Sequence, residues 1–184
     1  MNNLVGVIYN PNSGLNRKTD LFSARYLEDI FRKNEGIVYG IVRETKTIDD
    51  LYKAAEEFKK HNVGTVGING GDGTNAQVFT AFMQVYGNEQ LPKFFPMNGG
   101  TMNNLACECK IKGNPCQILE KLVSKYIEIY YNEHINGIKK EMPSIKKRII
   151  HVNDKTNKID FYGSIFAASP PVVKFLEDYY SRGT

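Results

Sequence analysis

Three short apolar runs in this chain each break into a glycine-bearing turn and then into a helical pattern, an order that few folds accommodate. Residues 4–9 (LVGVIY) give way to Asn10-Pro11-Asn12-Ser13-Gly14, residues 63–68 to Gly70-Gly71-Asp72-Gly73-Thr74, and residues 93–97 to Asn98-Gly99-Gly100-Thr101. A further β-rich run, residues 37–42, leads to Thr47, which with Asp50 three residues on resembles a capping box. Between the runs, apolar side chains recur at helical spacing: Phe22, Tyr26, Leu27, Ile30 and Phe31, then Leu51, Ala54, Ala55 and Phe58, then Val78, Phe79, Phe82 and Met83. The third helix is expected from about Asn75 to Tyr86, with Gly87 as its stop. A short helix follows from Asn103, and Asn114-Pro115 suits the cap and first position of another. Strands separated by helices of this length imply an α/β fold, a doubly wound parallel sheet with helices on both faces, over residues 1–126.

From residue 127 the pattern changes. Residues 126–131 (YIEIYY) alternate as a half-buried strand would, and residues 148–152 and 158–165 flank Asn153-Asp154-Lys155-Thr156-Asn157 like the arms of a hairpin. Residues 127–184 therefore read as the beginning of a second, β-rich domain, with an amphipathic segment (Val172, Val173, Phe175, Leu176, Tyr179) after Pro170-Pro171. Lys139, Lys140, Lys146, Lys147 and Arg148 cluster between these strands, either as a solvated loop or as a contact for anionic lipid headgroups.

Composition excludes more than it identifies. A net charge of +4 on 184 residues suits a nucleotide or an acidic membrane surface but is too weak to argue for nucleic acid. Cys107, Cys109 and Cys116 lie close together, yet no histidine is near them in sequence, so buried reduced thiols are the expectation and a zinc site is not. The odd cysteine count and the lack of a signal peptide point to the cytoplasm, and no apolar run approaches the length of a membrane span. Lipid would be met from the surface, leaving peripheral membrane association open.

In an open parallel sheet ligands bind outside the carboxyl ends of the strands, so the three glycine turns share one edge. Glycines there let backbone N–H groups approach phosphate oxygens, and a following helix N-terminus favours the anion. Thr74 and Thr101 add hydroxyl donors. Asp72 is out of place among phosphate-binding groups unless it orients magnesium-bound water, accepts a proton from the attacking hydroxyl, or caps the helix behind it. The chain has neither a G-x-x-x-x-G-K-[ST] loop nor a G-x-G-x-x-G after its first strand, which excludes P-loop and dinucleotide-fold readings.

Gly70-Gly71-Asp72-Gly73-Thr74 matches a signature shared by lipid kinases of the diacylglycerol and sphingosine kinase type, NAD kinases and, more distantly, phosphofructokinases. Asn10-Pro11-Asn12-Ser13-Gly14 resembles the Asn-Pro-x-Ser-Gly opening of the lipid kinases, residues 96–106 (PMNGGTMNNLA) are similar to their Pro-x-Gly-Thr-x-Asn-Asp-Phe-Ala segment, and residues 161–173 to the stretch holding a Ser-x-Gly turn. The resemblance implies a kinase that uses ATP and Mg2+ to phosphorylate a lipid hydroxyl such as that of diacylglycerol, at a membrane surface, with a homodimer left open. It implies ATP contacts at Asn10, Pro11, Asn12, Ser13 and Gly14, at Thr45, at Gly70, Gly71, Asp72, Gly73, Thr74, Asn75 and Ala76, and at Gly100, Thr101 and Asn103, with Asp72 catalytic and no metal ligand assigned.

The sequence departs from the pattern in places. Asn75, Ala76 and Gln77 stand where the family commonly has an apolar residue, Asn and Glu, and Asn104 where many members have Asp. The family supplies further acids from a returning segment, and this chain stops at Thr184 before any such stretch, so the 184 residues alone are expected to be weak or inactive. The alternatives are an NAD kinase-like enzyme, against which the Asn-Pro-x-Ser-Gly opening argues, and a catalytically impaired nucleotide-binding regulatory protein.

Overall fold

A computed structural model describes residues 3–156 and 158–163. Four strands, β1 (Leu4–Tyr9), β2 (Tyr39–Glu44), β3 (Thr65–Asn69) and β4 (Lys93–Pro96), form a parallel sheet in the order β2-β1-β3-β4. The central strands β1 and β3 are almost wholly buried, as strands covered on both faces must be. Helices α1 (Ala24–Arg32) and α5 (Pro115–His134) pack on one face against Val5, Val7, Tyr9 and Met97. Helices α2 (Ile48–Lys60) and α3 (Asp72–Tyr86) pack on the other against Ile8, Val66 and Ile68. The alternation of β1 side chains between these two cores is the period-2 geometry of a strand. The α/β reading, with helices on both faces of a parallel sheet, holds.

Local signals fix the helix ends. Thr47 and Asp50 form the expected capping box on α2, and Asn114 with Gln117 forms another on α5 behind Pro115. Two corrections concern elements. Helix α3 begins at Asp72 rather than near Asn75, so the glycine-rich turn runs directly into the helix. Residues 126–131 are not a strand: α5 continues to His134, with Tyr126 and Ile129 in the core and Tyr131 exposed. The alternation YIEIYY also meets helical spacing, because Val123, Tyr126 and Ile129 recur three apart on the buried face.

After an irregular stretch, β5 (Ile150–Asp154) and β6 (Ile159–Gly163) form the expected antiparallel hairpin as a separate two-stranded sheet. It packs beside α3, where Thr80 Oγ1 accepts a hydrogen bond from Tyr162 N at 3.0 Å. The Ser-x-Gly-like stretch from residue 164 and the Pro170-Pro171 amphipathic segment lie outside the described residues. The three thiols are free, but they are not buried: Cys107 is exposed and Cys109 and Cys116 are half-buried, beside the short helix α4 (Asn104–Glu108) and at the start of α5. Burial pushes the Cys116 thiol pKa up, away from reactivity. Among the described residues no helix is long and apolar enough to cross a membrane.

Candidate functional site

In the order β2-β1-β3-β4 the chain leaves β1 toward β2 on one side and β3 toward β4 on the other. The switch point therefore lies between the carboxyl ends of β1 and β3, where a crevice for ligand is expected. All the turns singled out in the sequence meet at this edge. Asn10 N donates to Asn69 O at 3.0 Å, extending the β1–β3 pairing by one residue into the first turn. Leu15 N donates to Gly99 O at 3.0 Å, tying the first turn to the third.

The edge is closely woven. Thr74 Oγ1 accepts from Asn10 Nδ2 at 2.9 Å and lies 3.3 Å from Ser13 Oγ, so the first and second turns are joined through buried hydroxyls. Asn12 N donates to Asn10 Oδ1, closing the Asn-Pro-Asn turn on itself. A Cβ on Gly100 would sit 2.3 Å from Gly71 Cα, and one on Gly14 would sit 2.1 Å from Thr101 Oγ1. Gly100 is therefore required first by backbone contact between the turns, ahead of any ligand, whereas at Gly14 the obstacle is the exposed Thr101 hydroxyl. Gly70 is likewise filled by the Thr74 side chain.

Gly73 differs. It is the second residue of α3, its φ is not positive, and nothing lies within 4 Å of where its Cβ would be. No element of the fold needs glycine there. The N-cap residue of α3 is Gly71, which has no side chain to cap with, and among the described residues no side chain accepts from its first-turn N–H groups. The dipole and free N–H groups of a helix start with an open approach favour an anion.

Asp72 does not cap its own helix. Its Oδ2 accepts from Asn104 N at 2.9 Å and its Oδ1 from Leu105 N at 3.0 Å, so the carboxylate holds the N-terminus of α4 instead. Asn103, in the left-handed conformation, is the N-cap residue of α4 and makes no side-chain cap. Its carboxamide turns back, accepting from Gly100 N at 3.0 Å and donating to Gly100 O at 3.0 Å. That division of labour explains why a capping acid must reach α4 from α3.

Thr45 lies at the end of β2, but its N–H donates to Tyr9 O at 2.8 Å and its buried hydroxyl faces the same carbonyl at 3.4 Å. It lengthens the β1–β2 ladder and offers little to a ligand. Ala76 is half-buried and Thr101 exposed, and Pro11 lies half-buried in the first turn. Two asparagines escaped the sequence reading. Asn69, fully buried at the end of β3, donates to Phe22 O at 3.0 Å; Asn16 donates to Asn10 O at 2.8 Å and to Asn69 O at 3.1 Å. Asn69 could have been found as a carboxamide closing an otherwise apolar strand. Once these donors fix the amides, Asn16 Oδ1 and Asn69 Oδ1 have no partner among the described residues, and neither do Asn75 Oδ1 and Asn98 Oδ1. Buried acceptors left unpaired cost ~1–3 kcal/mol each unless water or a ligand satisfies them.

No curated protein matches the chain. The family model of the diacylglycerol kinase catalytic domain matches residues 5–130, which takes in all four parallel strands, every glycine turn of the edge and most of α5. With that coverage, over the sheet and turns just described, the chain belongs to the diacylglycerol kinase catalytic domain family, a family of kinase-type enzymes.

Proposed function

We propose that the chain is an ATP-dependent lipid kinase that moves the γ-phosphoryl of ATP to a lipid hydroxyl, with diacylglycerol as the representative substrate. The observation that carries the nucleotide part is Gly73, a helix residue with no structural reason to lack a side chain, in the uncapped first turn of α3. The phosphates would take the N–H groups of Gly71, Asp72, Gly73 and Thr74, with Thr101 at the exposed rim.

Among the described residues no three His, Cys, Asp or Glu side chains gather to hold a metal ion. Mg2+ is compatible with that, because it is commonly held by substrate phosphates, waters and one or two carboxylates. Asp72 would be the protein carboxylate: each of its oxygens accepts one backbone N–H and retains a further lone pair. When bound, the ion would neutralise phosphate charge. In the transfer, the lipid hydroxyl oxygen attacks the γ-phosphorus, the bond to the β-bridging oxygen breaks to release ADP, and the hydroxyl proton is lost. We assign Asp72 to orienting water at the phosphates or accepting that proton, while it holds α4 in place.

The test uses two measurements. Gly73→Val should keep the melting temperature and lower ATP affinity by more than about tenfold. Label that leaves the γ-position of ATP should appear in detergent-dispersed diacylglycerol and not in NAD, at the weak rate expected of these 184 residues. Transfer to NAD, or unchanged ATP affinity in the folded variant, would overturn the corresponding half of the proposal.

A further inference from the structure

The mild basicity of the chain is concentrated in one stretch. Residues 135–159 hold seven lysines and arginines against two acids, a formal +5, while the whole chain is +4, so everything else sums to −1. The same stretch carries six of the twelve large apolar side chains exposed among the described residues: Ile135, Ile138, Ile145, Ile150, Val152 and Ile159. Charge and exposed aliphatic surface coincide.

The hairpin shows how they are arranged. Val152 is opposite Phe161 and Asp154 opposite Ile159, and side chains alternate, so Ile150, Val152, Ile159 and Phe161 share one face, with Asp154 at its end beside the turn. The other face holds His151, stacked on Tyr162 with ring centroids 4.1 Å apart, and Asp160 beside His151. Tyr162 and the preceding Ile149 pack against the α2–α3 core, and Thr80 holds the outer edge of β6. Tyr162 turns the polar-aromatic face to the protein, while Ile150, Val152 and Ile159 on the other face are exposed beside the half-buried Phe161. Lys140 and Lys147 are paired with Glu128 and Glu108, whereas Lys139, Lys146 and Arg148 have no ion-pair partner among the described residues.

A protein partner fits this surface poorly, since lysine is depleted from protein interfaces. A solvated loop explains the charge but not the aliphatic face. Unpaired cations in the stretch that leads into outward isoleucine and valine match the boundary between anionic headgroups and acyl chains. We propose that the hairpin's aliphatic face and the basic stretch leading into it form a docking surface for an anionic lipid bilayer. The purpose of such docking rests on the lipid-kinase reading; the surface itself is argued without it. Thr80, which holds the hairpin, lies eight residues along α3 from Asp72, about 12 Å at the helical rise, so docking would bring the phosphate edge close to the membrane.

Co-sedimentation of the full chain with vesicles tests this directly. The chain should bind phosphatidylcholine–phosphatidylglycerol vesicles, bind pure phosphatidylcholine much less, and release as salt is raised. K139E/K146E/R148E should lose well over tenfold in vesicle affinity, at roughly fivefold per charge removed, and K139Q/K146Q/R148Q should lose less. I150S/V152S should also weaken binding, and all three variants should keep the parent's melting temperature and its affinity for ATP. Absence of binding to the anionic vesicles, equal binding to both vesicle types, or folded variants that bind like the parent would overturn the docking surface. So would a dimer of the parent that I150S/V152S dissolves without loss of vesicle binding, because a second copy would then cover the face. A chain that binds vesicles but not ATP overturns the kinase reading alone; one that binds ATP but not vesicles overturns only the docking.

Discussion

Replacing Asp72 by asparagine is nearly isosteric, and from sequence it looks like a clean removal of charge that keeps a capping oxygen. The structure changes the expectation. Both carboxylate oxygens accept backbone N–H groups at the start of α4, from Asn104 at 2.9 Å and from Leu105 at 3.0 Å. A carboxamide has one oxygen, so its NH2 must face one of those N–H groups, donor against donor. The substitution removes one charge-assisted hydrogen bond and weakens the other. Hydrogen bonds to charged groups are worth ~1.5–3 kcal/mol, and because Asp72 is half-exposed the lower part of that range applies, about 1.5 kcal/mol. For a chain of this size that is a fall of roughly 3–6 °C in melting temperature. Asp72→Ala leaves both N–H groups without a carboxylate and should cost more, about 2–3 kcal/mol.

Two readouts separate the roles of Asp72. Thermal unfolding followed by circular dichroism reports the clamp on α4, and transfer of label from ATP to dispersed diacylglycerol reports the chemistry. Asp72→Asn is expected to lower both, with turnover falling about 100-fold if the carboxylate also acts on water or on the hydroxyl proton. An asparagine variant that melts with its parent would refute the clamp, whatever it did to turnover. A variant that melts lower but turns over at the parental rate would leave Asp72 a purely structural residue.

Other positions give sharper single readouts. Gly100→Ala drives a Cβ to 2.3 Å from Gly71 Cα, so it should destabilise by about 1–3 kcal/mol in urea unfolding and separate the two turns. Thr80→Val leaves Tyr162 N without its acceptor and should speed amide hydrogen exchange there by about tenfold, with exchange in β1 unaltered. The Arg43 guanidinium holds the Glu57 carboxyl below its ordinary value. That stability is present above the ordinary glutamate pKa and is lost as pH falls through the lower folded value, so Glu57→Gln should flatten the acid limb of a melting-temperature profile.

The parallel sheet was legible because its evidence is local and repeated: apolar runs, glycine turns and capping residues at Thr47 and Asn114 each speak within a few positions. The failures share a different cause. Residues 126–131 fit both period 2 and period 3.6, and only the core beneath Tyr126 and Ile129 decides for the helix. The free cysteines were expected to be buried on their residue type alone, yet Cys107 stands exposed on the five-residue helix α4. Thr45 was placed at the correct edge, but its N–H and hydroxyl both turn to Tyr9 O, a partner 36 residues away that no local pattern announces.

The edge itself shows why motif residues cannot all be ligand residues. Gly100 is needed where it touches Gly71, Gly71 is tightly placed against it, and Asn103 spends its carboxamide on the backbone of Gly100. Asp72 spends both oxygens on α4. What remains for a ligand is the part of the motif that the fold leaves unused: the open Gly73, the N–H groups of α3 that no described side chain caps, and the second lone pairs of the Asp72 oxygens. A Gly-Gly-Asp-Gly-Thr turn thus divides its labour, with Gly70, Gly71 and Thr74 assembling the edge and Gly73 keeping it open. If that division is right, Gly73 variants lose nucleotide while remaining folded, whereas Gly71 and Gly100 variants lose both together. A matching loss of stability at Gly73 would place all the glycines in the scaffold and leave the N-terminus of α3 without its claim on phosphate.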